Sequence, residues 1–306
     1  MPFHLSQEQK LQFDRDGYLV IKSFLSPDTV ERLLERSHQL LRDFTLEGHP
    51  MTTFSTEDDD SGKGKGKGTA PSDTYFLESG DKVRYFFEVD SFTNGQLNRP
   101  KELAVNKIGH SLHTEDDAFR RATLENPDIQ NLIRELGMHK DPRVVQSMVI
   151  CKQPGIGGAV TVHDDSTFLY TSPLSAAGLW FPLEDATATN GCLSFVPGSH
   201  KTNQITHRLE RIDGGRQGTA IREIEGMADA KITDWAGPHI NWVSEPVKAG
   251  DLVLIHGSVI HRSERNASPR SRFVYTFHII DGACDWPETN WLQPVEGKPF
   301  TKLLHD

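Results

Sequence analysis

Residues 160–168, VTVHDDSTF, are the stretch on which the reading of the fold turns. On an extended segment, side chains two apart point to the same side, so His163 and Asp165 face together and Asp164 faces away. A distant histidine, such as His261 in residues 252–263 (LVLIHGSVIHRS), would complete a set of two imidazoles and one carboxylate. Such a set can hold a ferrous ion on one face and leave the opposite face open for chemistry. The spacing alone is a weak signal, because the chain carries 14 histidines. A second copy, His139-Lys140-Asp141, directly precedes Pro142 and reads as an ordinary histidine after a helix end beside a turn aspartate. His113 and Glu115 fall in helical territory, where residues two apart diverge.

The third ligand has four sequence candidates: His200, His256, His261 and His278. His256 and His261 both lie just past the apolar run AGDLVLI, and each is followed by a serine two residues on. Downstream, Arg270 and Arg272 open a strand in which positions 272, 274, 276 and 278 share one face. An inward arginine there suits a carboxylate co-substrate, since its fork makes two parallel hydrogen bonds. The competing reading of either arginine is a surface ion pair.

Around these residues the chain is rich in short β segments: Val144–Cys151, Thr167–Tyr170, Ala177–Leu183, Cys192–Val196, Leu252–Ile255 and Arg272–Ile279. Turn clusters PGIGG, TATNG, PGSH and KAGD separate them. Many short strands between Gly/Pro turns predict a mainly β protein, a sandwich or barrel. The N-terminal part reads differently. A capping box at Ser6–Gln9 opens a helix to Asp16, and Tyr18–Ile21 reads as a buried strand. Ser26-Pro27 starts a helix whose Val30, Leu33, Leu34, Leu41 and Phe44 pack on one side. Lys82–Glu88 reads as a strand and Lys101–Leu136 as mostly helical. Residues 57–68, EDDDSGKGKGKG, offer nothing to bury and read as a disordered surface loop.

With 306 residues and 36% hydrophobic content, the chain can build a sizeable core in one large domain or at most two. A formal net charge of -10 argues against nucleic-acid binding and against anionic membranes. No apolar run reaches the ~18 residues of a membrane span, and the N-terminus lacks the apolar core of a secretory signal. Cys151, Cys192 and Cys284 are too scattered for a disulfide framework, so a reducing, cytoplasmic compartment is the default. An acidic surface without apolar patches makes a monomer the default.

VTVHDDSTF, GLWFPLEDATATNGCLSFVPGSH and GDLVLIHGSVIHRSERNASPRSRFVYTFH together resemble the phytanoyl-CoA dioxygenase family. YFLESGDKVRYFFE, NKIGHSLH, VVQSMVICKQP and NWLQP extend the resemblance from about residue 6 to the end, with the Gly/Lys-rich loop as a local departure. The resemblance implies a double-stranded β-helix, a jelly-roll or cupin-like barrel, braced by N-terminal helices. It implies one domain over residues 1–306, with 1–140 a helical support carrying the loop at about 57–72, and 141–306 the jelly-roll core. It further implies iron(II), 2-oxoglutarate as co-substrate, O2, and ascorbate as a stimulant.

Residue by residue, the resemblance makes His163, Asp165 and His261 the metal ligands, His261 matching better than His256. Arg272 becomes the grip on the distal carboxylate of 2-oxoglutarate, with Arg270 as fallback. Ser263, Trp180, Met148 and Lys107 fall at co-substrate contacts, although a tryptophan or methionine in a β core is usually packing. Asp164 stands where the family often has glutamine. The implied reaction is hydroxylation of a small organic substrate, because relatives that halogenate lack the carboxylate ligand. A carboxylic acid, an acyl-CoA or a natural product all fit; Arg208, Arg211, Arg216 and Arg222 are the groups that would meet CoA phosphates. The alternatives are a zinc-binding cupin-like barrel or a non-catalytic barrel with a vestigial site.

Overall fold

The computed structural model describes residues 3–54, 74–230 and 232–304, so the predicted loop at 57–68 lies outside the described residues. Two antiparallel sheets face each other, and no strand pairing among the described residues closes them into a barrel. The larger has eight strands, with Tyr18–Ile21, Leu252–His256, Ala177–Pro182, Arg272–Asp281, Pro142–Lys152, Val105–His110 and Val83–Phe87 side by side, and Thr301–Lys302 pairing with Pro142–Lys152. The smaller has four, in the order Val243–Glu245, Leu193–Phe195, His261–Ser263 and Val160–His163.

Alternation along Arg272–Asp281 sorts the interior into two compartments. Phe273, Tyr275, Phe277 and Ile279 point outward and merge with Leu179, Phe181 and Leu254 into one apolar layer. The helices Pro27–Asp43, Asp117–Thr123 and Pro127–Leu136 cover that layer with Leu33, Leu40, Phe119 and Leu132. Arg272, Thr276 and His278 point the other way, into the space between the sheets. The helices therefore brace the larger sheet, as predicted, and leave its inner face for a site. Removing one outward aromatic, as in Phe277→Ala, is expected to cost about 3–5 kcal/mol.

Local signals in the N-terminal part hold. Ser6 and Gln9 exchange both capping-box bonds, and Gly17 ends the Gln7–Asp16 helix at φ 81°, a left-handed conformation that glycine adopts without penalty. Ser26 caps the Pro27–Asp43 helix. Two readings need correction. Within Lys101–Leu136, Val105–His110 is a strand, paired on both sides by Val83–Phe87 and Pro142–Lys152. Its fully buried Val105 and Ile108 lie three apart, a spacing that mimics a helical face. The expected helical support thus contributes three strands to the larger sheet. The expected strand Thr167–Tyr170 is instead entered by a single 3-10 turn, Asp165–Thr167, which Asp164 caps by accepting from the Thr167 N–H at 2.8 Å. No helix among the described residues is long and apolar enough to cross a membrane.

Candidate metal centre and co-substrate pocket

The smaller sheet places His163 and His261 directly opposite each other on neighbouring antiparallel strands, with ring centroids 4.1 Å apart. Asp165 follows two residues past the end of the Val160–His163 strand. Because Asp164 keeps an extended backbone (φ -124°, ψ 152°), the side-chain alternation survives the strand end and Asp165 still faces inward. Asp165 Oδ1 lies 3.8 Å from His163 Nε2 and 3.8 Å from His261 Nε2. Among the described residues these three form the one group of histidine, cysteine and acid side chains converging at metal-binding spacing.

Backbone contacts settle which nitrogen of each ring is free. His163 Nδ1 lies 2.8 Å from the Thr161 carbonyl and His261 Nδ1 3.0 Å from the Val259 carbonyl. A carbonyl only accepts, so each Nδ1 carries the proton and each Nε2 offers its lone pair to the centre. Burial, followed by the neighbouring His261, pushes His163 down to about 4, so its ring is neutral near pH 7. Burial would raise the Asp165 carboxyl, but the imidazoles of His278, His261 and His163 outweigh it and hold Asp165 below the usual carboxylate range. Two imidazole Nε2 atoms and one carboxylate are a donor set for a divalent first-row metal, and the residues fit such an ion.

His278, weighed above as a rival ligand, stands behind the triad. Gln146 Nε2 donates to His278 Nδ1 at 3.2 Å, which leaves the His278 proton on Nε2, 3.5 Å from Asp165 Oδ2. His278 Nε2 thus faces the carboxylate from the larger sheet, while Asp165 Oδ2 itself accepts no hydrogen bond among the described residues. Gly178 makes this approach possible, since a Cβ there would sit 3.3 Å from Asp165 Oδ2 and 3.4 Å from the His278 ring. Sequence reasoning missed the roles of Gln146 and Gly178. The available signal was a lone histidine on the inner face of an otherwise apolar strand. His256 and His200 pack against each other, centroids 4.9 Å apart, away from the triad.

A cavity of about 810 Å³ runs between the sheets past the triad. Lys107, Met148, Trp180, Ser263 and Arg272 all line it; Arg270 is exposed and does not. Arg272 is 1% exposed, and its Nε and Nη1 have no hydrogen-bond partner. Its guanidinium carbon lies 5.4 Å from the Trp180 ring centre, and burial lowers its pKa to about 10. A buried cation with unpaired donors is costly unless an anion meets it. Ser263 donates its hydroxyl to the Gly191 carbonyl at 2.9 Å, leaving its lone pairs toward the cavity. Lys107 Nζ sits 3.1 Å from the Phe54 ring centre, and burial lowers its pKa to about 7 against the opposing charge of Glu88.

Asp164 is 7% exposed and borders the cavity, and its oxygens are engaged by its own turn and by Asn203 Nδ2 at 3.1 Å. Arg208, Arg211, Arg216 and Arg222 do not line the cavity. Arg208 pairs with Glu210 and bonds Asn290, Arg211 donates to the Trp291 and Leu77 carbonyls, and Arg216 pairs with Asp213.

Fold and site together define a jelly-roll protein with a two-histidine, one-carboxylate centre, and the comparisons agree. The Phytanoyl-CoA dioxygenase (PhyH) family model matches residues 13–274. The bovine (Bos taurus) phytanoyl-CoA dioxygenase domain-containing protein 1 is 43% identical over 303 residues, covering 98% of each chain. The chain belongs to the phytanoyl-CoA dioxygenase family. Among solved structures, the epimerase SnoN in complex with Fe3+, alpha ketoglutarate and nogalamycin RO superposes with a TM-score of 0.61 at 17% identity, over 98% of this chain and 96% of that one. EctD from S. alaskensis with bound Fe gives 0.60 at 17% identity, over 97% and 85%. These two share the jelly-roll fold with this chain.

Proposed function

We propose that the protein is an iron(II)- and 2-oxoglutarate-dependent dioxygenase that hydroxylates a C–H bond of a small organic substrate. The observation that carries this reading is the pairing of the His163/Asp165/His261 centre with the unpartnered, buried Arg272 in one cavity. His163 and His261 would bind iron through Nε2 and Asp165 through Oδ1. Arg272 would grip the distal carboxylate of 2-oxoglutarate through two parallel hydrogen bonds. Trp180 and Met148 wall the co-substrate, Lys107 offers it a donor, and Ser263 would do so once its hydroxyl turns from the Gly191 carbonyl. When bound, iron with 2-oxoglutarate and O2 supplies the oxidant, with succinate and CO2 as co-products. The chain's own part is to present two imidazole Nε2 atoms, hold Asp165 ionised beside His278, and keep water out with apolar walls.

A zinc hydrolase on the same barrel would have no use for a buried arginine awaiting a carboxylate. The test is anaerobic iron titration with 2-oxoglutarate, followed by succinate measurement in air. A weak visible charge-transfer band and iron-dependent succinate are expected. A wild-type protein that gives neither overturns the reading.

A further inference from the structure

Beyond the triad, the same cavity is walled by Phe76, Phe168, Leu209, Ile221 and Trp291, with the His110 ring set among them and the Trp291 indole N–H buried without a hydrogen-bond partner among the described residues. His110 is 2% exposed and boxed by Phe76, Phe86 and Trp291, with centroids at 5.7, 5.4 and 5.4 Å. Its Nδ1 lies 2.6 Å from Ser79 Oγ. The Ser79 hydroxyl already donates to the Phe76 carbonyl at 2.5 Å, so it accepts from His110, and the imidazole proton is on Nδ1. His110 Nε2 is then a bare acceptor, and no group among the described residues hydrogen-bonds to it. This acceptor borders the cavity, so an occupant that brings a donor gains a hydrogen bond there that one without a donor does not.

We propose that His110 Nε2 is the polar anchor of the substrate pocket, and that the substrate is an uncharged, mainly hydrocarbon or ring-bearing molecule presenting a hydroxyl or N–H to it. This rests on the reading of the neighbouring centre as the oxidising site. Burial keeps His110 neutral well below its ordinary pKa, so the ring stays an acceptor and does not attract a carboxylate. A Ser79-locked tautomer discriminates by hydrogen-bond direction: a donor is welcomed, while an ether or carboxylate meets a lone pair.

The test uses three probes of one shape: cyclohexylmethanol, its methyl ether and cyclohexanecarboxylate. Affinities are measured by ligand-observed NMR on the metal-free protein and, anaerobically, on the protein loaded with iron(II) and 2-oxoglutarate. The alcohol is expected to bind about tenfold tighter than the ether, the worth of one hydrogen bond. His110→Phe should level the two, and Ser79→Ala, which releases the tautomer, should shrink the ratio at least about threefold. A wild-type ratio near one, tighter binding of the carboxylate, or an undiminished ratio in either folded variant overturns the proposal. The two readings fail separately: a missing iron band with the alcohol preference intact sinks the oxidising site, and the reverse pattern sinks the anchor.

Discussion

Two stretches of this chain carry the same His-x-Asp spacing, and their fates differ completely. At His163-Asp164-Asp165 the two side chains converge with His261 from the neighbouring strand. At His139-Lys140-Asp141 they are spent locally. His139 Nε2 donates to the Ser175 carbonyl at 2.7 Å, and Asp141 pairs with Arg143 at 2.7 Å. The polarity of the backbone contact decides the difference. In the first stretch a carbonyl takes the Nδ1 proton, which leaves Nε2 free to face the centre. In the second a carbonyl takes the Nε2 proton, and the remaining Nδ1 is buried without a partner. A motif spacing therefore supplies a ligand pair only when the fold provides both the outer hydrogen bond and a cross-strand third member.

The largest expected effect breaks the comparison outright. His163→Ala, Asp165→Ala or His261→Ala should each lower iron affinity by at least about 100-fold and abolish succinate formation. His139→Ala and Asp141→Ala should leave iron affinity within about twofold. Equal losses at the two stretches, read in the anaerobic titration, would mean that the geometric distinction has no chemical meaning.

The next effect tests the same distinction on the arginines. Arg272→Ala removes a buried fork and should raise the Kd for 2-oxoglutarate by about 100-fold, the worth of two charge-assisted hydrogen bonds. Arg270→Ala, at an exposed position, should leave it unchanged. Calorimetric titration of the metal-free and iron-loaded protein separates loss of the carboxylate grip from loss of metal. Smaller still is His278→Ala, which removes the imidazole that faces Asp165 Oδ2 at 3.5 Å. A drop of about tenfold in iron affinity is expected; no change would make His278 a mere neighbour.

Much of this contrast was legible beforehand, and the failures have physical reasons. His261 was one of four candidates until the family resemblance selected it, whereas His163 and Asp165 could be paired because period-two alternation survives translation into structure. The face shared by Arg272, Thr276 and His278 was readable for the same reason. Val105–His110 was not, because its apolar residues are spaced three apart and its strand character comes from partners far away in sequence. His278 was visible only as one histidine among several. Its place facing Asp165 depends on Gln146 and Gly178, whose meaning arises once the sheets pack.

The smallest effect concerns what the second stretch does instead of binding metal. Asp281 accepts backbone N–H bonds from Lys140 at 2.9 Å and from Asp141 and Ala283 at 3.0 Å each. Its own N–H donates to Ser175 Oγ, on the residue whose carbonyl takes the His139 proton. The turn is thus organised around a carboxylate that serves the backbone. Burial works to raise the Asp281 pKa, yet the N–H groups of Lys140, Ala283 and Asp141 outweigh it, and the net shift is downward from the ordinary value of 3.8. The folded state keeps Asp281 ionised at a pH where the unfolded chain already takes up its proton. Its contribution is therefore present above about pH 4 and fades as pH falls through the lowered folded value. Asp281→Asn should cost about 1–2 kcal/mol in urea unfolding at pH 7, shrink toward zero in acid, and leave iron affinity untouched. A pH-independent cost would place the stabilisation in packing, and a loss of iron affinity would tie the second stretch to the first after all.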